Sequence, residues 1–170
     1  MKLVSLLLTI GVTMTLAADK KPAPATVTLK NAKGDVVGNL KATPVKGGSV
    51  KLSGSVMKMP AGQHAIHVHM TGKCEAPDFT SAGGHFNPEQ HKHGLATQTG
   101  HAGDLGNFTV AANGKAKVNL MLTKVTLADG ANSLFKEGGT ALVVHEKADD
   151  LKTDPTGNAG GRVACGVFSR

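Results

Sequence analysis

Apolar and polar residues alternate in short runs through most of the chain, and the runs are separated by Gly, Asn and Asp. Ala25-Thr-Val-Thr-Leu-Lys30 sets small or apolar side chains at every second position, and Ser49-Val-Lys-Leu-Ser-Gly-Ser-Val56 does so again. A period of two is that of a half-buried strand. Similar runs cover Asp35 to Ala42, Gly62 to His69, Asn107 to Ala111, Lys115 to Met121, Thr140 to His145 and Arg162 to Phe168. About eight strands are therefore expected, with a helical turn near Asn132-Ser-Leu-Phe135 as the one interruption. Such a pattern predicts an all-β antiparallel sandwich or barrel. The Ala112-Asn-Gly114 turn predicts a hairpin between the fifth and sixth strands. Two connections, Met70 to about Asp104 and Glu146 to Gly161, are too long for simple turns and are expected to carry function.

The start of the chain has a different texture. Lys2 is followed by the mostly apolar Leu3 to Leu16 and the small residues Ala17 and Ala18, the pattern of a secretory signal peptide. Residues 1–18 are assigned to that signal, 19–24 to a Lys- and Pro-rich tether, and 25–170 to one folded domain. The expected location is periplasmic or extracellular, with no membrane attachment after cleavage. Export also bears on Cys74 and Cys165, the only cysteines, which have one possible intramolecular pairing. The formal charge of +7, about +6 without Lys2, invites a nucleic-acid reading. Scattered lysines, scarce arginine and the absence of Trp and Tyr argue against it.

Candidate chemistry lies in the histidines. On a strand, His67 and His69 project to one face with Cα atoms about 7 Å apart, while His64, Ile66 and Val68 face the core. The first long connection adds His85, His91, His93, His101 and Asp104, and His145 ends a later strand. Imidazole suits copper and zinc, zinc also accepts carboxylate, and each wants about four ligands. With His91 set aside, six histidines and one aspartate exceed one site and suffice for two that share a ligand. His64 is assigned to the core by its parity, and His91 to solvent.

The ordered set Gly62-x-His-x-x-His-Val-His69, Ser81-Ala-Gly-Gly-His-Phe-Asn-Pro88, Lys92-His-Gly94, His101-Ala-Gly-Asp-Leu-Gly-Asn107, Val143-Val-His-Glu-Lys-Ala-Asp-Asp-Leu151 and Gly157-Asn-Ala-Gly-Gly-Arg-Val-Ala-Cys-Gly-Val167 resembles the copper/zinc superoxide dismutase family. The resemblance spans nearly the whole chain after the signal. It implies an eight-stranded Greek-key, immunoglobulin-like sandwich, with superoxide as substrate and dismutation by alternate reduction and reoxidation of copper. Copper would take His67, His69, His85 and His145; zinc would take His85, His93, His101 and Asp104, with His85 bridging. Asp149 would link a copper histidine to a zinc histidine, Arg162 would hold the anion, and Cys74 would pair with Cys165. A homodimer is left open. Three positions depart from the family pattern: Ala65-Ile66 stands for Gly-Phe, Cys74 comes early in its loop, and Pro155 stands where many members carry a guiding lysine. Lys147 and Lys152 are candidates to replace that lysine. The alternative reading is an exported copper/zinc buffer or carrier on the same fold. A Ser-His-Asp hydrolase lacks the Gly-x-Ser-x-Gly elbow.

Overall fold

A computed structural model of the chain describes residues 22–95 and 98–170. The expected signal peptide, and the first residues of the expected tether, lie outside the described residues. Among the described residues eight strands form: β1 (Ala25–Lys30), β2 (Val36–Pro44), β3 (Val50–Val56), β4 (Gly62–His69), β5 (Asp104–Val110), β6 (Ala116–Leu122), β7 (Ala141–His145) and β8 (Arg162–Ser169). Asn132 to Phe135 is a turn and not helical; among the described residues the one short helical element is a 3-10 turn at Thr80–Ala82.

The strands hydrogen-bond in the order β5-β4-β7-β8-β1-β2-β3-β6, all neighbours antiparallel. Bending this sheet around one core brings its two end strands, β5 and β6, next to each other and nearly closes a barrel. The connections from β3 to β4 and from β6 to β7 cross from one half of the sheet to the other, which is the expected Greek-key wiring.

The hairpin prediction is corrected here. The turn is present, with Ala111 N–H donating to Lys115 O at 3.0 Å and Gly114 N–H to Ala111 O at 2.9 Å. Its two strands then part: β5 ladders with β4, and β6 with β3. Turn chemistry fixes only the loop, and long-range pairing of β3 with β6 over seven registered positions outweighs continuation of the local ladder.

Inward residues such as Val27, Leu29, Leu40, Leu52, Ile66, Val118, Leu142 and Phe168 form the main core. Burying each large apolar side chain stabilises the fold by roughly 1.5–3 kcal/mol. On β1, β2, β3 and β6 the opposite face is open to solvent, hence the clean alternation. On β4 and β7 it is not. Burial runs unbroken from His64 to His69 and from Ala141 to His145, because both long connections fold back over the outer face there.

Candidate metal centre

Register places the histidines before any loop does. His67 pairs with Val143 of β7 and with Asp104 of β5, after a bulge between Ala65 and His67. Asp104, expected at the end of a loop, is the first residue of β5 and so is held rigidly beside β4. His69 meets His85 of the long connection through an isolated antiparallel bridge. His145, the last residue of β7, pairs with Arg162, the first of β8.

Ligand-capable atoms of His67, His69, His85 and His145 lie within 4.8 Å of one another, as do those of His85, His93, His101 and Asp104. His85 belongs to both groups, and every member is buried. All seven residues assigned to metals from the sequence are thus brought together outside the barrel wall and beneath the long connections.

In most of these rings one nitrogen is held, and the other is aimed at its group. His67 Nε2–H donates to Asp149 Oδ2 at 2.7 Å and His93 Nε2–H to Asp149 Oδ1 at 2.8 Å. Asp149 therefore spans the two groups. His69 Nδ1–H donates to Gly83 O at 2.9 Å, and His145 Nδ1 lies 3.3 Å from Gly160 O. His85 Nδ1 and His101 Nδ1 converge on Asp104 Oδ1, at 2.8 and 3.2 Å. Asp149 and the Gly83 and Gly160 carbonyls, which lie outside the two groups of four, fix tautomer and ring orientation, whereas Asp104 is itself a member of the second group.

Among the described residues that leaves three buried ring nitrogens without a hydrogen bond: His67 Nδ1, His85 Nε2 and His93 Nδ1, the last 3.1 Å from Asp104 Oδ2. His69 Nε2 and His145 Nε2 face each other at 3.3 Å although each ring has a carbonyl acceptor at its Nδ1. Unpaired buried lone pairs are costly unless a cation satisfies them. Four imidazoles suit copper, and three imidazoles with one carboxylate suit zinc, so the residues fit both metals.

Electrostatics favour the ligating forms. Burial pushes His67 down to about 4, against the opposing effect of its hydrogen bond to Asp149. Burial, reinforced by the charge of His85, takes His69 to about 2; burial and His67 take His145 to about 3. Burial also lowers His101. Burial alone would raise Asp104 and Asp149, but hydrogen bonds from His85 to Asp104, and from His67 and His93 to Asp149, leave both below the usual carboxylate range. For His67, His69, His101 and His145 the neutral imidazole, and for Asp104 and Asp149 the ionised carboxylate, is thereby favoured, and these are the forms that bind metal.

An opening reaches this cluster. A cleft of about 410 Å³ is lined by residues that include His69, His85, His145, Pro155, Asn158 and Arg162. Arg162 donates Nη1–H to Phe79 O at 2.6 Å and Nη2–H to Gly83 O at 2.7 Å, so its fork is held in a single orientation. The Cys74–Cys165 disulfide forms, with Cα atoms 5.6 Å apart despite the early position of Cys74. It ties the loop carrying Phe79 and Gly83 to β8, which carries Arg162.

His64 and His91 fall outside both groups. His64 is buried between two carbonyls, His145 O at 2.8 Å and Pro60 O at 3.0 Å. His91 packs at the surface against Lys124 and Glu89. Ile66, at one of the departures, is fully buried in the core. Sequence reasoning missed Asn107, whose side chain donates to Asp149 O and accepts from Asp149 N–H, at 2.9 and 2.7 Å. It also missed Gly157, where an added Cβ would lie 2.0 Å from Asp149 Oδ1. Both sit inside matched motifs, which was the available signal.

The chain is similar to several known proteins. The family model described as copper/zinc superoxide dismutase (SODC) matches residues 36–168. "Superoxide dismutase [Cu-Zn] 1" of Aquifex aeolicus is 49% identical over 140 residues, 81% of this chain and 82% of that one. "Superoxide dismutase [Cu-Zn] 2" of the same organism is 46% identical over 143 residues, 82% of this chain and 83% of its own. The crystal structure of a SOD-like protein from Bacillus subtilis superposes with a TM-score of 0.78 at 36% identity, covering 84% of this chain and 96% of that one.

Proposed function

The chain belongs to the copper/zinc superoxide dismutase family, and on that premise we propose which of its residues carry the reaction. The activity is conversion of superoxide to oxygen and hydrogen peroxide, with copper and zinc as cofactors. Copper would be held by His67, His69, His85 and His145, and zinc by His85, His93, His101 and Asp104. When bound, copper supplies the one-electron chemistry and zinc a redox-inert charge.

The chain's own residues do the rest. The Arg162 guanidinium, fixed by two carbonyls beside His69 and His145, attracts and orients the anion at the cleft. His85 Nε2 holds a proton in one half of the cycle and gives it to the product in the other, while Nδ1 stays beside Asp104. Asp149 keeps His67 and His93 in ligating tautomers. The long connections exclude water except at the cleft.

The observation that carries this assignment is the set of unpaired nitrogens aimed into two groups joined by His85. A buffer or carrier needs neither a fixed guanidinium at an open cleft nor a shared ligand, and that alternative is not favoured. Copper and zinc content measured beside superoxide consumption, before and after chelation, tests the assignment. Copper binding without dismutation would return the carrier reading.

Export is part of the same proposal. The formed disulfide suits an oxidising compartment, periplasmic or extracellular, and the N-terminal pattern supplies the signal. Fractionation of producing cells with N-terminal sequencing of the product checks both. Sedimentation of the metal-loaded protein decides between monomer and homodimer.

A further inference from the structure

The outer face of the β1-β2-β3-β6 half-sheet lies away from the metal clusters and has no part in the chemistry above. The ladders arrange its outward residues in rows across the strands. One row is Thr28, Asn39, Ser55 and Lys117; the next is Thr26, Lys41, Ser53 and Asn119. A third contains Thr43, Lys51 and Met121, and Lys30 closes the other end of β1. Each row thus carries one lysine, and none of these outward positions is acidic. All four lysines are exposed, and none forms an ion pair among the described residues, where Lys124 and Arg170 supply the only Lys or Arg ion pairs.

Neighbouring strands lie about 4.8 Å apart and successive rows about 7 Å apart, so Lys41 and Lys51, on adjoining strands, fall about a Debye length from each other at physiological salt, while Lys117 and Lys30 stand further out and spread the positive charge along the face. Between them stand hydroxyl and amide side chains, with Met121 as the one apolar residue on the three rows. Such a face has no aromatic ring on which bases could stack, and its two exposed apolar residues, Met121 and the Val36 that pairs with Lys30, stand at separate places rather than forming a wedge for a bilayer. It offers spaced ammonium groups for carboxylates and short polar side chains for ring hydroxyls.

We infer that this half-sheet is a docking surface for an acidic, carboxylate-bearing polysaccharide. Lys30, Lys41, Lys51 and Lys117 meet the uronate carboxylates, and the intervening Thr, Ser and Asn residues meet the sugar hydroxyls. The metal clusters, on the far half of the sheet, stay open to substrate while the chain is bound.

The test uses metal-loaded, disulfide-intact protein with polygalacturonate as probe, dextran as neutral polymer and vesicles containing phosphatidylglycerol. Polygalacturonate should bind and dextran should not. K41E/K51E/K117E should weaken binding at least about tenfold, whereas K58E/K73E/K136E, of equal net charge but off this face, should change it less than about twofold. K41Q/K51Q/K117Q guards against misfolding and should also weaken binding, with an unchanged thermal midpoint. Dismutation should be equal in the two charge-reversed proteins. Equal loss of binding in both would mean that net charge alone is responsible and would overturn the assignment. Preference for the vesicles over polygalacturonate would overturn it too.

Discussion

Single residues decide the metal centre by what they leave unpaired. His145 belongs to one group only, so His145→Ala should abolish dismutation and lower copper content while zinc content holds, as elemental analysis would show. Gly157 acts by having no side chain. Its φ of +64° and the 2.0 Å approach of a Cβ to Asp149 mean that Gly157→Ala must displace that carboxylate. Metal affinity should fall about 10–100-fold, the usual cost of losing a partner behind the ligands, and a chelator competition titration reads it. Residue identity told most of this in advance. The seven ligand candidates, Asp149 and Arg162 were all visible as chemistry-bearing types within motifs. Gly157 and the Gly83 carbonyl were not, because a missing side chain and a backbone oxygen leave no mark on residue type. His64 was placed correctly by parity alone, since a two-residue period leaves one face for the core.

At the level of elements, strand positions were legible because alternation is strong wherever one face meets water. Pairing was less so. The turn at Ala112 to Gly114 suggested a local ladder, yet β5 and β6 are the two ends of the sheet, and nothing local encodes which distant strand each will find. The long connections were legible as functional by length, but their covering of β4 and β7 was not, and it turns a nominally exposed face into a buried one. The disulfide spans 91 residues and pins one of those connections to β8. Replacing both cysteines by serine should cost about 2–5 kcal/mol in denaturant unfolding. It should also loosen the carbonyls that hold Arg162. Arg162→Ala itself should lower the rate about tenfold with copper retained. An unchanged rate would remove Arg162 from the reaction.

For the whole molecule, two dependences follow from charge. A net formal charge of +7 and a guanidinium at the cleft should draw the superoxide anion, so added salt should slow the reaction, and a flat salt profile would exclude steering. Acid should undo the metal-free fold. His67, His69 and His145 sit below their ordinary value of 6.5, so the unfolded chain binds more protons than the folded one as pH falls past that value. The stability these neutral rings confer is full above about 6.5 and is lost progressively towards the folded values, about 4 for His67. Each contributes a slope of roughly 1.4 kcal/mol per pH unit while only the unfolded form is protonated. Denaturant titrations of metal-free protein between pH 7 and 4 should show it, and bound metal should shift the loss to lower pH.

The Gly83 carbonyl accepts from His69 Nδ1 at 2.9 Å and from Arg162 Nη2 at 2.7 Å. One peptide plane is therefore a common hinge-pin for a metal ligand and for the cation that greets the substrate. A change that tilts this plane, wherever in the loop it arises, moves both together. Loop variants should consequently trace a single line when copper retention is plotted against affinity for small anions, and neither trait can be bred without the other.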